Sequence, residues 1–365
     1  MVVKTKDFKD ACQTILYAID NKDVSLFTET LELVTNGNIL NLNVTNRSYF
    51  ATVKFILDKA EKFQAPVNAK TFLSLISKIT TETIELLVKG NSLVVKANGE
   101  YTLPLIYNND KLLTLPPIDM GTITNEMSIN SNILLSILFH NSKELQRGVA
   151  NKTVQNYYYI DQNGAITFTS GACVNTFTLE KPIKMLLTDK VVKLFKLFKP
   201  DNKVGFRMGQ KAISDDSTIT VVEFKTDKVT LTAKLGDSGL ISGVPVTSIR
   251  GMANRTFTYN LTLDRNELLQ AINRIMIFND ESKTYGKIEV KDNVFTLRNY
   301  RGGSVESINT TNKFKGDYNM LLDLKNFKLI LDGCDDEYIN ICFGDGKAVV
   351  IKKTNVSDLL PELKE

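Results

Sequence analysis

Apolar side chains return at helical spacing across residues 7–19, where Phe8, Cys12, Ile15, Leu16 and Ile19 share one face and the charged residues take the other. The same one-sided pattern recurs across residues 132–139 and 266–275. After each such stretch the period changes from helical to alternating, as in Leu31-Glu32-Leu33 and again from Ile39 to Val44. The alternating runs flank turn signals at residues 35–38, 161–164 and 290–293, where Asn, Asp and Gly supply the backbone angles that tight hairpins need. A second helical pattern and a second turn signal follow each time, the turns at 89–92, 209–217 and 343–346. The pattern predicts six helices, over 6–19, 68–79, 131–143, 188–199, 264–279 and 325–333. Each series advances by about one third of the chain, the signature of a repeated module. The expected fold is α+β: three tandem copies of one fold, each with two helices and antiparallel β-sheets, over residues 1–122, 123–253 and 254–365.

Composition narrows the class without changing this picture. With 43% hydrophobic and 24% charged residues, the 365-residue chain reads as globular rather than fibrous or disordered. Residues 1–7 lack the apolar core of a secretory signal, and no run approaches the roughly 20 apolar residues that span a bilayer, so a cytoplasmic protein without a membrane partner is expected. Cys12, Cys173, Cys334 and Cys342 stand apart, as reduced and buried thiols do, with no Cys-x-x-Cys spacing for zinc.

Catalytic chemistry is sparse. The single histidine, His140, ends a predicted helix and reads as packed or solvated. Asp335-Asp336-Glu337 sits where a turn is expected rather than a cation site, and Tyr157-Tyr158-Tyr159 lies in a strand, where tyrosine is common. No phosphate loop, nucleophile elbow or zinc-protease motif is present, so no catalytic residue, metal or cofactor is assigned and the chain is read as a non-enzyme. Net charge is only +4, but lysine concentrates on the candidate helices. The extreme case is Lys190, Lys193, Lys196 and Lys199 beside Val191, Val192, Leu194, Phe195, Leu197 and Phe198; a solvated lysine face is the plain alternative to a nucleic-acid surface.

Order, spacing and length together resemble the bacterial-type DNA sliding clamp, the beta subunit of the replicative DNA polymerase III holoenzyme. The resemblance is carried by residues 31–42, with 65–73 entering a second helix, and most closely by residues 268–275, Asn279-Asp280-Glu281, 318–324 and the segment from Leu359 to Leu363. Departures at signature positions fit a divergent phage or mobile-element member.

The resemblance implies a DNA polymerase processivity factor of DNA replication. Two chains would close head to tail into a ring of repeat domains that encircles double-stranded DNA without sequence preference. The ring would slide and tether the replicative polymerase and clamp-loader subunits. It also implies sites. A cleft for partner peptides matches Val154, Thr169, Gly171, Val174, Pro245, Ile249, Arg250, Val349, Leu359, Leu360, Pro361, Glu362 and Leu363, with Leu360 and Pro361 expected to close one wall against Val174 and Ile249. Where family clamps carry Thr-Asp-Gly followed by a polar residue, Arg and Leu, this chain reads Thr169-Ser170-Gly171-Ala172-Cys173-Val174, and Glu362 stands where an apolar residue is common. Lys70, Lys78, Lys143, Arg147, Lys190, Lys193, Lys196 and Lys199 would face DNA, while Tyr101, Leu103, Ile277 and Phe278 would form the dimer interface. Two other classes stand beside this reading: a phage structural or scaffold binding module built of β-rich repeats, which accounts for repeats without an active site, and an enzyme with catalytic carboxylates not recognisable by motif.

Overall fold

The computed structural model describes residues 1–20, 23–147, 153–214, 217–280 and 283–364. It groups into two compact units, one made of residues 1–135 and 193–237, the other of 136–192 and 238–365. Residues 123–253 contribute to both.

In the first unit an eight-stranded antiparallel sheet runs in the order Thr122–Asn130, Lys203–Ser214, Ser217–Lys225, Val229–Lys234, Tyr49–Ile56, Ile39–Asn46, Thr30–Asn36, Gln64–Asn68. Its two halves are joined by one ladder, Val229–Lys234 against Tyr49–Ile56, with Leu231 opposite Ala51. A four-stranded sheet ends at the edge strand Glu100–Pro104. The helices Thr5–Leu16 and Ala69–Lys78 bury one face each, and Phe8 meets Phe72 and Phe55 edge-on at 6.2 and 5.5 Å. Asn68 starts the second helix by accepting the Thr71 N–H, as a capping residue should.

The second unit repeats the plan. Its eight-stranded sheet runs Lys184–Thr188, Tyr157–Asp161, Gly164–Phe168, Ala172–Thr176, Val356–Pro361, Ala348–Lys352, Tyr338–Phe343, Tyr259–Asp264, and a single ladder, Cys173 opposite Asp358, joins its halves. A four-stranded sheet carries Tyr285–Lys291, Val294–Asn299, Val305–Asn309 and Asp317–Asp323. The helices Arg265–Met276 and Leu324–Asp332, capped by Asp264 and Asp323, press Leu268, Ile272, Phe327 and Ile330 into one apolar core.

The predicted elements recur with shifted ends. The helix expected over 131–143 runs on to Arg147 through a π-turn at Ile137–Asn141. The segment expected as a helix over 188–199 is an α-helix at Asp189–Lys193 continued by a 3-10 turn at Leu194–Leu197. The long turn expected at 209–217 is instead strand, its ladder reaching Ser214 opposite Ser217; Asp215 and Asp216, like Glu281, lie outside the described residues. The helix Val246–Asn254 was not foreshadowed, because Thr247, Ser248 and Gly251 weaken its propensity and no side chain caps its start. All four cysteines are free and buried. Tyr158 and Tyr159 are buried too, their hydroxyls on Asp189 and Asp161, and present no ring to a ligand. Among the described residues no helix is long and apolar enough to cross a membrane.

Candidate functional site

Within the second unit a compact apolar cluster gathers Val174 from the strand Ala172–Thr176, Ile249 from the helix Val246–Asn254 and Leu359 from the strand Val356–Pro361, with half-buried Val154 packed against it. These residues are more than 180 positions apart at the extremes and meet because Ala172 pairs opposite Leu359. Pro245 lies exposed ahead of the helix and its carbonyl accepts the Ile249 N–H at 3.0 Å. Thr169 and Gly171 form the adjacent hairpin turn; a Cβ on Gly171 would lie 2.2 Å from the Leu359 carbonyl oxygen, so only glycine fits there.

Leu360 and Val349 do not belong to this cluster. They face each other in the ladder and are buried in the other core, against the helix Leu324–Asp332 side of the sheet. The reason is strand alternation: neighbours on a strand point to opposite faces, so the face that holds Leu359 cannot hold Leu360. The expectation that Leu360 lines the wall against Val174 and Ile249 is therefore corrected in favour of Leu359. Glu362 also turns away, its carboxylate accepting the Tyr318 hydroxyl at 3.1 Å, while burial raises its pKa. Pro361 is half-buried, and Leu363 is exposed with its N–H on the Leu321 carbonyl.

Two ion pairs border the cluster. Arg250 grips Asp161 through Nη1 and Nη2, at 2.8 and 2.7 Å. Burial pushes the Asp161 carboxyl up, but the hydrogen bonds from Arg250 and the Asn163 N–H outweigh it and hold the pKa below the usual range. Arg147, expected to face DNA, is instead 8% exposed, paired with Glu144 and bonded to the Ala172 carbonyl. A guanidinium so enclosed cannot reach phosphate. Sequence reasoning missed Glu144 and Asp161; the i, i+3 spacing of Glu144 and Arg147 was the available signal for the first.

The other cations are placed variously. Lys70 and Lys78 are exposed on the helix Ala69–Lys78, and Lys143 is half-buried, its stem close to Gly333. Lys190, Lys193, Lys196 and Lys199 are all exposed while every apolar residue between them is buried. Of the residues expected at a dimer contact, Ile277 and Phe278 project from the end of the helix Arg265–Met276 at 77% and 60% exposure, and Tyr101 is exposed on the edge strand Glu100–Pro104. Leu103, on the same strand, is buried at 4% within its own unit, which corrects its expected place on a contact surface.

No family model matches the chain. A beta sliding clamp of Mycoplasmopsis pulmonis (strain UAB CTIP) is 28% identical over 153 residues, which are 36% of this chain; the chain spans 41% of that relative's length. Among solved structures, a sliding clamp of Pseudomonas aeruginosa bound to griselimycin superposes with a TM-score of 0.83 at 15% identity, covering 100% of this chain and 99% of that one. The Helicobacter pylori beta clamp in complex with 3,4-difluorobenzamide gives 0.78 at 16% identity, with 100% of each chain covered. The DNA polymerase III beta subunit of Thermotoga maritima gives 0.79 at 15%, covering 100% and 99%. The chain thus has the fold of the bacterial DNA sliding clamps over its whole described length and resembles one of them in sequence over part of it.

Proposed function

We propose that the chain is a DNA polymerase processivity factor. Two copies, each of three modules over 1–122, 123–253 and 254–365, close head to tail through Ile277, Phe278 and Tyr101 into a cytoplasmic ring. The ring encircles duplex DNA, slides on it, and tethers the replicative polymerase and clamp-loader subunits through a peptide cleft at Val154, Val174, Ile249 and Leu359. It performs no catalysis and needs no cofactor. The observation that carries this reading is the likeness in fold to sliding clamps across the full chain. Two features of the molecule support it. Lysines outside the fold's core offer phosphates a sequence-independent, salt-sensitive attraction compatible with sliding. An apolar cluster bordered by polar residues suits short peptides with a few anchoring side chains. Tethering then raises a polymerase's effective concentration at the primer end without new contacts to DNA.

The test is topological. Loaded on circular DNA the protein should sediment as a dimer and remain bound, and linearising the circle should release it. Equal retention on linear and circular DNA, or a monomer mass under loading conditions, would overturn the proposal.

A further inference from the structure

One of the two ion pairs bordering the apolar cluster comes from the helix Ser142–Arg147. The fully buried Glu144 carboxylate accepts the Thr169 N–H at 2.9 Å and also takes the Thr169 hydroxyl. Arg147, one turn further and paired with Glu144, donates from Nη2 to the Ala172 carbonyl at 3.3 Å. Thr169 and Ala172 are the two ends of the turn between the strands Gly164–Phe168 and Ala172–Thr176, so a single ion pair holds both ends. Between them, the place a Gly171 Cβ would take lies 3.5 Å from Arg147 Nη2 and 2.2 Å from the Leu359 carbonyl. The turn is wedged between the guanidinium and the strand that carries Leu359.

Stability alone does not account for this arrangement. Desolvating two ions consumes most of their attraction, and an apolar pair of similar volume is often as stable or more so. Arg147 Nε and Nη1 find no acceptor among the described residues, which adds to the cost. An apolar pair would fill the space, but it could not hold an N–H at one end of a turn and a carbonyl at the other.

We infer that Glu144 and Arg147 are positioning residues for the cleft: through the 169–172 turn they fix how closely the wall stands to Leu359, and hence how well the site grips its peptide. The inference rests on the peptide-cleft reading above. It follows that the ionic character of the pair matters to binding more than to folding.

The experiment compares wild type with Glu144→Gln and with the double variant Glu144→Met, Arg147→Met. Hydrogen exchange across residues 168–174, without peptide, reads the wall; calorimetric titration with a hexapeptide bearing Leu and Phe anchors reads the cleft. Glu144→Gln, which takes from the buried Arg147 its paired carboxylate, should lower Tm, and the double variant should regain it. The double variant should nevertheless exchange about tenfold faster at 168–174 and bind the peptide about tenfold more weakly. Unchanged exchange in the double variant overturns the inference whether or not any peptide binds, and so does faster exchange with unaltered affinity. Faster exchange in a protein whose wild type binds no peptide leaves the wall support standing and overturns the cleft reading instead. If the double variant does not fold, Arg147→Lys carries the same two measurements, since it keeps the charge and loses the fork.

Discussion

Leu359 and Leu360 are neighbours on one strand yet belong to different cores, Leu359 packed with Val174 and Ile249, Leu360 with Val349. The two leucines should respond differently to truncation. Leu360→Ala should lower unfolding free energy by about 2–5 kcal/mol and leave peptide affinity near wild type. Leu359→Ala should weaken peptide binding by about 1–3 kcal/mol, if it anchors the partner, and also cost some stability. Denaturant unfolding and calorimetric titration of both variants separate the two effects. Deleting the chain from Leu359 onward should abolish folding of the second unit, because the strand that joins its sheet would be cut.

The exposed pair at the end of the helix Arg265–Met276 predicts an oligomeric effect without a folding effect. Ile277→Asp with Phe278→Asp should yield a folded monomer by sedimentation, since charges would be buried unpaired only at the contact. Leu103→Asp should instead destabilise the protein itself. A dimer that survives the first double change places the contact elsewhere.

Charge reversal separates exposed from enclosed cations. Lys190→Glu, Lys193→Glu and Lys196→Glu together should reduce retention on circular DNA and flatten its salt dependence while preserving thermal stability. Arg147→Ala should do the opposite, lowering Tm by leaving Glu144 buried without its partner. Nitrocellulose retention across a salt series, paired with thermal melts, checks both.

His140 gives the stability a pH dependence. Its Nδ1 lies 2.9 Å from the Gly333 carbonyl, which also accepts the Lys353 ammonium, and burial first, then the nearby Lys353 charge, lowers its pKa. The unfolded imidazole takes up a proton near pH ~6.5 and the folded one only below that, so the unfolded state binds more protons in between. Stability is therefore fully present above about pH 6.5 and declines as pH falls through the depressed folded value. As the chain has one histidine, His140→Asn should remove this slope from denaturant unfolding measured between about pH 5 and 7.

What the sequence disclosed follows from the range over which each feature is encoded. Helices such as Thr5–Leu16 and hairpins such as Thr30–Asn36 with Ile39–Asn46 are written in local periodicity and turn chemistry, and they stand where the pattern predicts them. The lysines at every third position from Lys190 to Lys199 are exposed because the apolar residues between them claim the interior. Long-range facts were hidden. Nothing local shows that Arg147 is enclosed by Glu144 and Ala172, that Leu103 is covered, or which of two adjacent leucines faces Val174; those depend on register between strands far apart in the chain. The helix Val246–Asn254 escaped for the opposite reason, its own propensity being too weak to declare it.

Each eight-stranded sheet is sewn together by one ladder between strands on the order of 180 residues apart, Leu231 with Ala51 in one unit and Cys173 with Asp358 in the other. Neither sheet can be completed by local pairing, so the loop-closure entropy of half a chain is lost before either ladder forms. Refolding should be slow, with half-sheets gathering early and waiting with bare edges at Tyr49–Ile56 and Ala172–Thr176. In that interval the same pairing can be made by another molecule as readily as by its own chain, and the route to a correctly closed protein competes with strand exchange between copies.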